Sequence, residues 1–170
     1  LLIIPVQWTM VKLRLPGRKA VPFRYHRLVC RIIGMRVKVT GAIENGGGIL
    51  IASNHVSWLD IVSVSSVGPI SFIAKKQVDT WPFFGLLARL QETVYVERER
   101  RSKTAEQRDV IKERLGRGDT IVLFPEGTSS DGNRVLPFKS ALLSAAEGSI
   151  KGKDGVEKPI RVQPMSVAYT

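Results

Sequence analysis

The stretch Gly48-Ile49-Leu50-Ile51-Ala52-Ser53-Asn54-His55-Val56-Ser57-Trp58-Leu59-Asp60 decides how the chain is read. Its first five residues form an apolar run, which predicts a buried strand. Beyond Asp60, Ile61-Val62-Ser63-Val64 predicts the start of a helix. A histidine therefore lies in the turn leaving a strand, and an aspartate follows about one helical turn later. Catalytic groups gather at such strand ends, because a loop there is exposed yet held by a rigid sheet. His55 suits the work of a general base, and Asp60 suits fixing its tautomer and stabilising the imidazolium that forms.

A second stretch, Leu123-Phe124-Pro125-Glu126-Gly127-Thr128, again runs from an apolar strand into a Pro/Gly turn. Gly127 frees the backbone to approach a ligand, and Glu126 offers a carboxylate. Together and in this order, the two stretches resemble the paired signatures of the glycerolipid acyltransferases, the family that includes lysophosphatidate acyltransferase. Asn54-His55 with Asp60 resembles the family's first motif, and Phe124-Pro125-Glu126-Gly127-Thr128 its third. Phe72-Ile73-Ala74-Lys75-Lys76, with Pro82-Phe83-Phe84-Gly85 and Val94-Tyr95-Val96-Glu97-Arg98, looks like the second region. Val162-Gln163-Pro164-Met165 looks like the fourth. The likeness covers residues 35 to 169.

That resemblance implies an O-acyltransferase using acyl-CoA or acyl-ACP as co-substrate, with no metal or bound cofactor. The acceptor it implies first is 1-acyl-sn-glycerol-3-phosphate, giving phosphatidic acid. In the resemblance, the turn of Glu126, Gly127 and Thr128 helps to bind the acceptor beside the histidine. Arg98 and one of Lys75 and Lys76 would meet its anionic head group, as charge-assisted contacts to phosphate suit both residue types. One position departs from the pattern: the family commonly places an arginine after the threonine, and here stands Ser129. The run from Gly127 to Arg134 resembles members that acylate lyso-ornithine lipid, which has no phosphate. Arg134 is the alternative source of charge from further along the loop.

The bulk numbers agree with an enzyme at a charged surface without selecting one. The 170 residues fit one domain, and 44% hydrophobic with 24% charged residues predicts a folded chain. Lys and Arg number 26 against 15 Asp and Glu, a net charge of +11. Such an excess favours anionic partners: a membrane surface, an acidic carrier protein, or nucleic acid. Aromatics are only 7% and form no base-stacking pattern, so nucleic acid is not expected. One cysteine, Cys30, rules out an internal disulfide.

Residues 1–20 read as the end of a membrane-associated or spanning segment, and 21–170 as the acyltransferase domain, cut at its C-terminus. The apolar run at Leu1 to Leu15 is too short and interrupted to span alone, and Lys12, Arg14, Arg18, Lys19 and Arg24 cluster at its end and beyond it. Such clusters favour the cytoplasmic side, here of the inner (plasma) membrane. Helices are predicted over 22–33, 86–90, 102–115 and 138–146. The helix over 102–115 has Ala105, Ile111 and Leu115 on one face. Arg24, Arg27 and Arg31 form a basic strip at helical spacing. Strands are predicted over 35–40, 48–52, 71–74, 93–96, 120–124 and 160–169, with turns at Gly46-Gly47-Gly48 and Lys153-Asp154-Gly155. Strands alternating with helices predict an α/β fold with a mixed, largely parallel sheet flanked by helices.

Other chemistries lack their residues. There is no Gly-x-Ser-x-Gly elbow and no phosphate loop ending in Lys-Ser or Lys-Thr. Ser57 suits capping the helix near Trp58 better than attack. His26 and Cys30 sit four apart, but two histidines and one cysteine make no zinc ligand set. Two rivals remain: a non-catalytic basic membrane-binding module, and a hydrolase that sends the acyl group to water.

Overall fold

The computed structural model describes residues 3–44, 48–97, 104–134, 136–139, 143–152 and 155–170. Two helices, α1 (Ile3–Lys12) and α2 (Ala20–Ile32), precede a region in which strands and helices alternate. These are β1 (Ile49–Ser53), α3 (Leu59–Ser65), β2 (Ile70–Lys75), α4 (Phe84–Leu90), β3 (Val94–Val96), α5 (Thr104–Gly116) and β4 (Thr120–Leu123). The hairpin strands β5 (Ser149–Lys151) and β6 (Glu157–Pro159) follow, and then β7 (Arg161–Met165).

Five strands form one sheet in the order β3-β2-β4-β1-β7, each pair parallel. The expected α/β architecture is therefore the observed one, and among the described residues the central sheet is wholly parallel. Successive side chains of a strand point to opposite faces. Both faces of β1 are covered, which is why its sequence is apolar without alternation. Leu50 joins Ile121, Leu123, Ile111 and Leu115 on the α5 side. Ile49 and Ile51 join Val122, Phe72 and Val64 on the α3 side.

The topology explains the site's position. The chain leaves β1, crosses to β2 and continues outward to β3. It then returns so that β4 fills the gap between β2 and β1. Ala52 pairs with Leu123, so the two Pro/Gly/His turns emerge side by side at the C-terminal edge of the sheet.

Several expected elements differ. Residues 35–40 are not a strand. Beyond them, where the chain runs along β7, the Gln163 side chain takes the Ala42 carbonyl (2.8 Å) and the Glu44 N–H (3.1 Å). Alternation makes a strand only where a backbone ladder is available, and here a side chain replaces it. The strand expected to reach Tyr169 ends at Met165, because Asn54 claims both backbone groups of Val167. Ala105 is exposed, so the buried face of α5 rests on Ile111 and Leu115. Of the helix expected over 138–146, the described part holds a 3-10 turn at Ser144–Ala146. The β5–β6 hairpin was not expected. Gly46, Gly47, Ser102, Lys153 and Asp154, which carry parts of other expected elements, lie outside the described residues.

No described helix is long and apolar enough to cross a membrane. Helix α1 docks on the domain through a polar contact: Gln7 is buried, and its side-chain amide donates to the carbonyls of Leu90 (2.7 Å) and Arg18 (2.9 Å).

Candidate active site

His55 and Glu126 lie 71 residues apart in the chain and meet because β1 and β4 are neighbours. Glu126 is buried, 1% exposed, and each carboxylate oxygen accepts from a backbone amide. One takes the N–H of His55 at 3.2 Å, and the other the N–H of Leu136 at 3.1 Å. The Ser130 N–H donates to the His55 carbonyl at 2.8 Å. The second turn thus holds the histidine backbone from both sides. Its ring lies on Phe124, with centroids 4.2 Å apart and planes 16° from parallel. Gly127 permits the geometry: its φ of 75° lies in the left-handed region that a side chain disfavours.

Asp60 is fully buried, and its carboxylate is saturated with donors. Oδ2 accepts from His55 Nδ1 at 2.7 Å, from the Val56 N–H at 2.7 Å and from the Ser57 N–H at 3.0 Å. Oδ1 accepts from the Tyr169 hydroxyl at 2.5 Å. Burial pushes this carboxyl up, but the donors from His55, Tyr169, Ser57 and Val56 together outweigh it and hold it below the usual range. An ionised Asp60 places the proton of a neutral His55 on Nδ1 and leaves Nε2 as the basic nitrogen. Among the described residues Nε2 has no hydrogen-bond partner, and the His55 side chain keeps 20% exposure. The pair can take a proton from a group arriving at the surface and stabilise the resulting charge.

The other anticipated residues fall around this centre. Thr128 and Arg134 are exposed on the loop after Gly127. Lys75 ends β2, on the same edge of the sheet but two strands from β1, or roughly 10 Å. Lys76 pairs with Asp79 at 3.1 Å and lies 5.3 Å from the centre of the Tyr95 ring. Arg98 lies outside the described residues. The Ser57 hydroxyl accepts the Leu59 N–H at 3.3 Å, the capping role expected of it. The Glu126 carboxylate, anticipated at the acceptor, is spent on backbone amides, so the turn offers its outer side chains and backbone to a ligand.

A histidine–aspartate pair thus follows one parallel strand, and a Pro-Glu-Gly turn after the neighbouring strand clamps it. A family model described as Acyltransferase matches residues 36–168. The chain belongs to the acyltransferase family. It is 49% identical over 168 residues to the lyso-ornithine lipid O-acyltransferase of Brucella abortus (strain 2308), covering 99% of this chain and 62% of that protein. Identity to the enzyme of the same name from Rhizobium meliloti (strain 1021) is 44%, over 100% of this chain and 58% of that protein. The 1-acyl-sn-glycerol-3-phosphate acyltransferase of Neisseria gonorrhoeae is 42% identical over 105 residues, covering 62% of this chain and 41% of that protein. Among solved structures, the 1-acyl-sn-glycerophosphate (LPA) acyltransferase PlsC from Thermotoga maritima superposes with a TM-score of 0.59 at 25% identity. That match covers 76% of this chain and 54% of that one. The chain thus spans 62% and 58% of the length of the two lyso-ornithine relatives.

In this member of the acyltransferase family, sequence reading alone did not find roles for Asn54, Ser130 and Tyr169. Asn54 Nδ2 donates to the Val167 carbonyl at 2.9 Å, and the Val167 N–H donates back to Asn54 Oδ1 at 2.8 Å. That clamp brings the segment after β7 across the site and sets the Tyr169 hydroxyl on Asp60. Of the three, Asn54 alone carried a sequence signal, as part of the first motif.

Proposed function

We propose that this chain is the catalytic domain of an O-acyltransferase that moves a fatty acyl group from acyl-CoA or acyl-ACP to the free hydroxyl of a lysolipid. The His55–Asp60 pair carries the proposal, with Nδ1 committed to a buried carboxylate and Nε2 left for the acceptor. The acceptor hydroxyl gives its proton to Nε2 as its oxygen attacks the thioester carbonyl. A C–O bond forms, the C–S bond breaks, and the imidazolium returns the proton to the leaving sulfur. Imidazole is too weak a base to make free alkoxide, so deprotonation is coupled to attack. General-base help of this kind contributes about 10²–10⁴-fold, and holding both substrates contributes several kcal/mol more.

We infer that the acceptor is a lyso-ornithine lipid. Ser129 stands where a phosphate-binding arginine is common, and the relatives named for that substrate match nearly the whole chain. The glycerol-phosphate reading keeps the support of the 42% identical relatives and of Lys75 and Arg134 as exposed cations near the edge. The membrane is the natural place for either acceptor. Ile3, Val6 and Trp8 on α1, Leu28 and Ile32 on α2, and Phe83 and Phe84 at α4 are exposed, with a net charge of +11 behind them. Apolar side chains beside basic ones suit an anionic bilayer at its cytoplasmic face.

The test is thiol release from acyl-CoA by the full-length protein, with each lysolipid as acceptor and with none. Acceptor-dependent release that His55→Ala abolishes is the expected result. Equal release without any lysolipid would identify a hydrolase, and near-normal turnover by His55→Ala would refute the base. Faster release with lysophosphatidate than with lyso-ornithine lipid would return the acceptor to the glycerol phosphate.

A further inference from the structure

We propose that Tyr169 is a positioning residue of this site, holding the Asp60 carboxylate so that one oxygen stays in line with His55 and tempering the charge that it presents. The inference rests on the acyl-transfer reading only for its kinetic arm. Three N–H donors converge on Oδ2, and without Tyr169 the buried Oδ1 would have no donor among the described residues. A buried carboxylate oxygen without a partner is costly, and the group would turn or draw in water. The phenol at 2.5 Å closes the fourth position and fixes rotation about the bond to the carboxyl carbon.

The tyrosine does not arrive there by chance packing. Ser53 pairs with Met165, the next residue Asn54 clamps Val167, and Tyr169 follows two residues later. The residue beside the catalytic histidine therefore sets the tyrosine as well. Burial, and then the bond to Asp60, push the phenol above the usual tyrosine range, so it remains a donor across the working pH range. The ionisable groups around the pair are few. Asp60 comes from α3, buried Cys30 from α2, and Glu126 from the turn after β4, where it faces the His55 amide.

A hydroxyl donating to Asp60 withdraws charge from the bond to His55. Its loss concentrates charge there, strengthens the Nδ1–H bond and favours the protonated ring. In the full-length protein, Tyr169→Phe keeps the ring and removes only the donor. The expected result is a further downfield His55 Nδ1–H proton resonance, assigned by its loss in His55→Ala. The acidic limb of the kcat/KM profile should move to higher pH, and kcat should fall about three- to tenfold at an unchanged KM. Placing 3-fluorotyrosine at position 169, a stronger donor, should move the resonance and the acidic limb the opposite way. A resonance unmoved in both variants overturns the proposal whatever their activity. A resonance that moves as described while thiol release is absent upholds the positioning role and sinks the acyl-transfer reading instead.

Discussion

Asp60→Asn removes the charge behind His55 and should leave its tautomer in place. Oδ2 serves the ring N–H and the amides of Val56 and Ser57, whereas among the described residues Oδ1 serves only the Tyr169 hydroxyl. An asparagine oxygen at the Oδ2 position satisfies all three N–H groups. Its NH₂ then faces Tyr169, whose hydroxyl rotates to accept. The opposite flip sets the NH₂ against two backbone N–H groups, at about 1 kcal/mol or more each. That favours the productive orientation roughly thirtyfold, since about 1.4 kcal/mol is tenfold. What remains is the lost attraction between carboxylate and imidazolium. At about 4 Å and an effective dielectric near 20, that attraction amounts to about 4 kcal/mol, an upper figure for a site that keeps some solvent. The expected fall in kcat is therefore on the order of 10²–10³. In a serine-protease triad the same exchange yields the wrong tautomer and costs about 10⁴. Single-turnover thiol release at saturating acceptor, with circular dichroism as the check on folding, measures the effect. A folded variant within threefold of wild type refutes the electrostatic role; a loss well beyond 10³ refutes the tautomer argument.

Glu126→Gln leaves one of two backbone amides, those of His55 and Leu136, facing an NH₂. The expected penalty is about 1–3 kcal/mol in denaturant unfolding; kcat should drop with little change in KM, and a rise in KM alone would return Glu126 to the acceptor. Gly85→Ala would place a methyl 2.3 Å from the Asp79 carbonyl oxygen, on backbone that cannot yield cheaply. A lowered melting temperature, by about 1–3 kcal/mol or more of stability, should be seen in thermal scans. Asp60 and Asp119 are held below their ordinary 3.8, against burial that pushes both up, by the donors around Asp60 and by Lys19 and Arg114 around Asp119. Their contribution is therefore full above about pH 4 and lost as pH falls through the lowered folded values; Asp119→Asn should flatten that acid limb in a stability titration.

What the sequence made legible was local. The run from Ile49 to Ala52 is apolar at every position because both faces of β1 are covered, so it read as a buried strand. His55 and Asp60 lie within one turn of each other, so their pairing was visible from spacing. The insertion of β4 between β1 and β2 was not visible, because parallel strands are joined by crossovers that carry no pairing signal. The partners of Glu126, the backbone amides of His55 and Leu136, were hidden for the same reason: a carboxylate in a turn announces its chemistry, not what it faces. Tyr169 was hidden inside a stretch that continued the strand pattern. Its departure from the ladder depends on Asn54, 113 residues upstream of the Val167 that it clamps.

The turn after β4 divides its labour by side, and on the acyl-transfer proposal that division makes the acceptor separable from the base. Glu126 and Ser130 point their hydrogen bonds at the His55 backbone, whereas Thr128, Ser129 and residues 131–134 are exposed. A change at position 129 can therefore alter what is bound without moving the histidine. Ser129→Arg should leave the His55 Nδ1–H resonance and the melting temperature unchanged. An arginine meeting a phosphate makes a charge-assisted contact of about 1.5–3 kcal/mol, which is about tenfold to a hundredfold in kcat/KM. That gain should appear for lysophosphatidate and be absent for lyso-ornithine lipid, as measured by thiol release with each acceptor in the same mixed micelles. Equal gains with both lipids would mean that the added charge acts on the membrane surface or on the donor. No gain with either would mean that position 129 does not face the acceptor, and the division of the loop would fail with it.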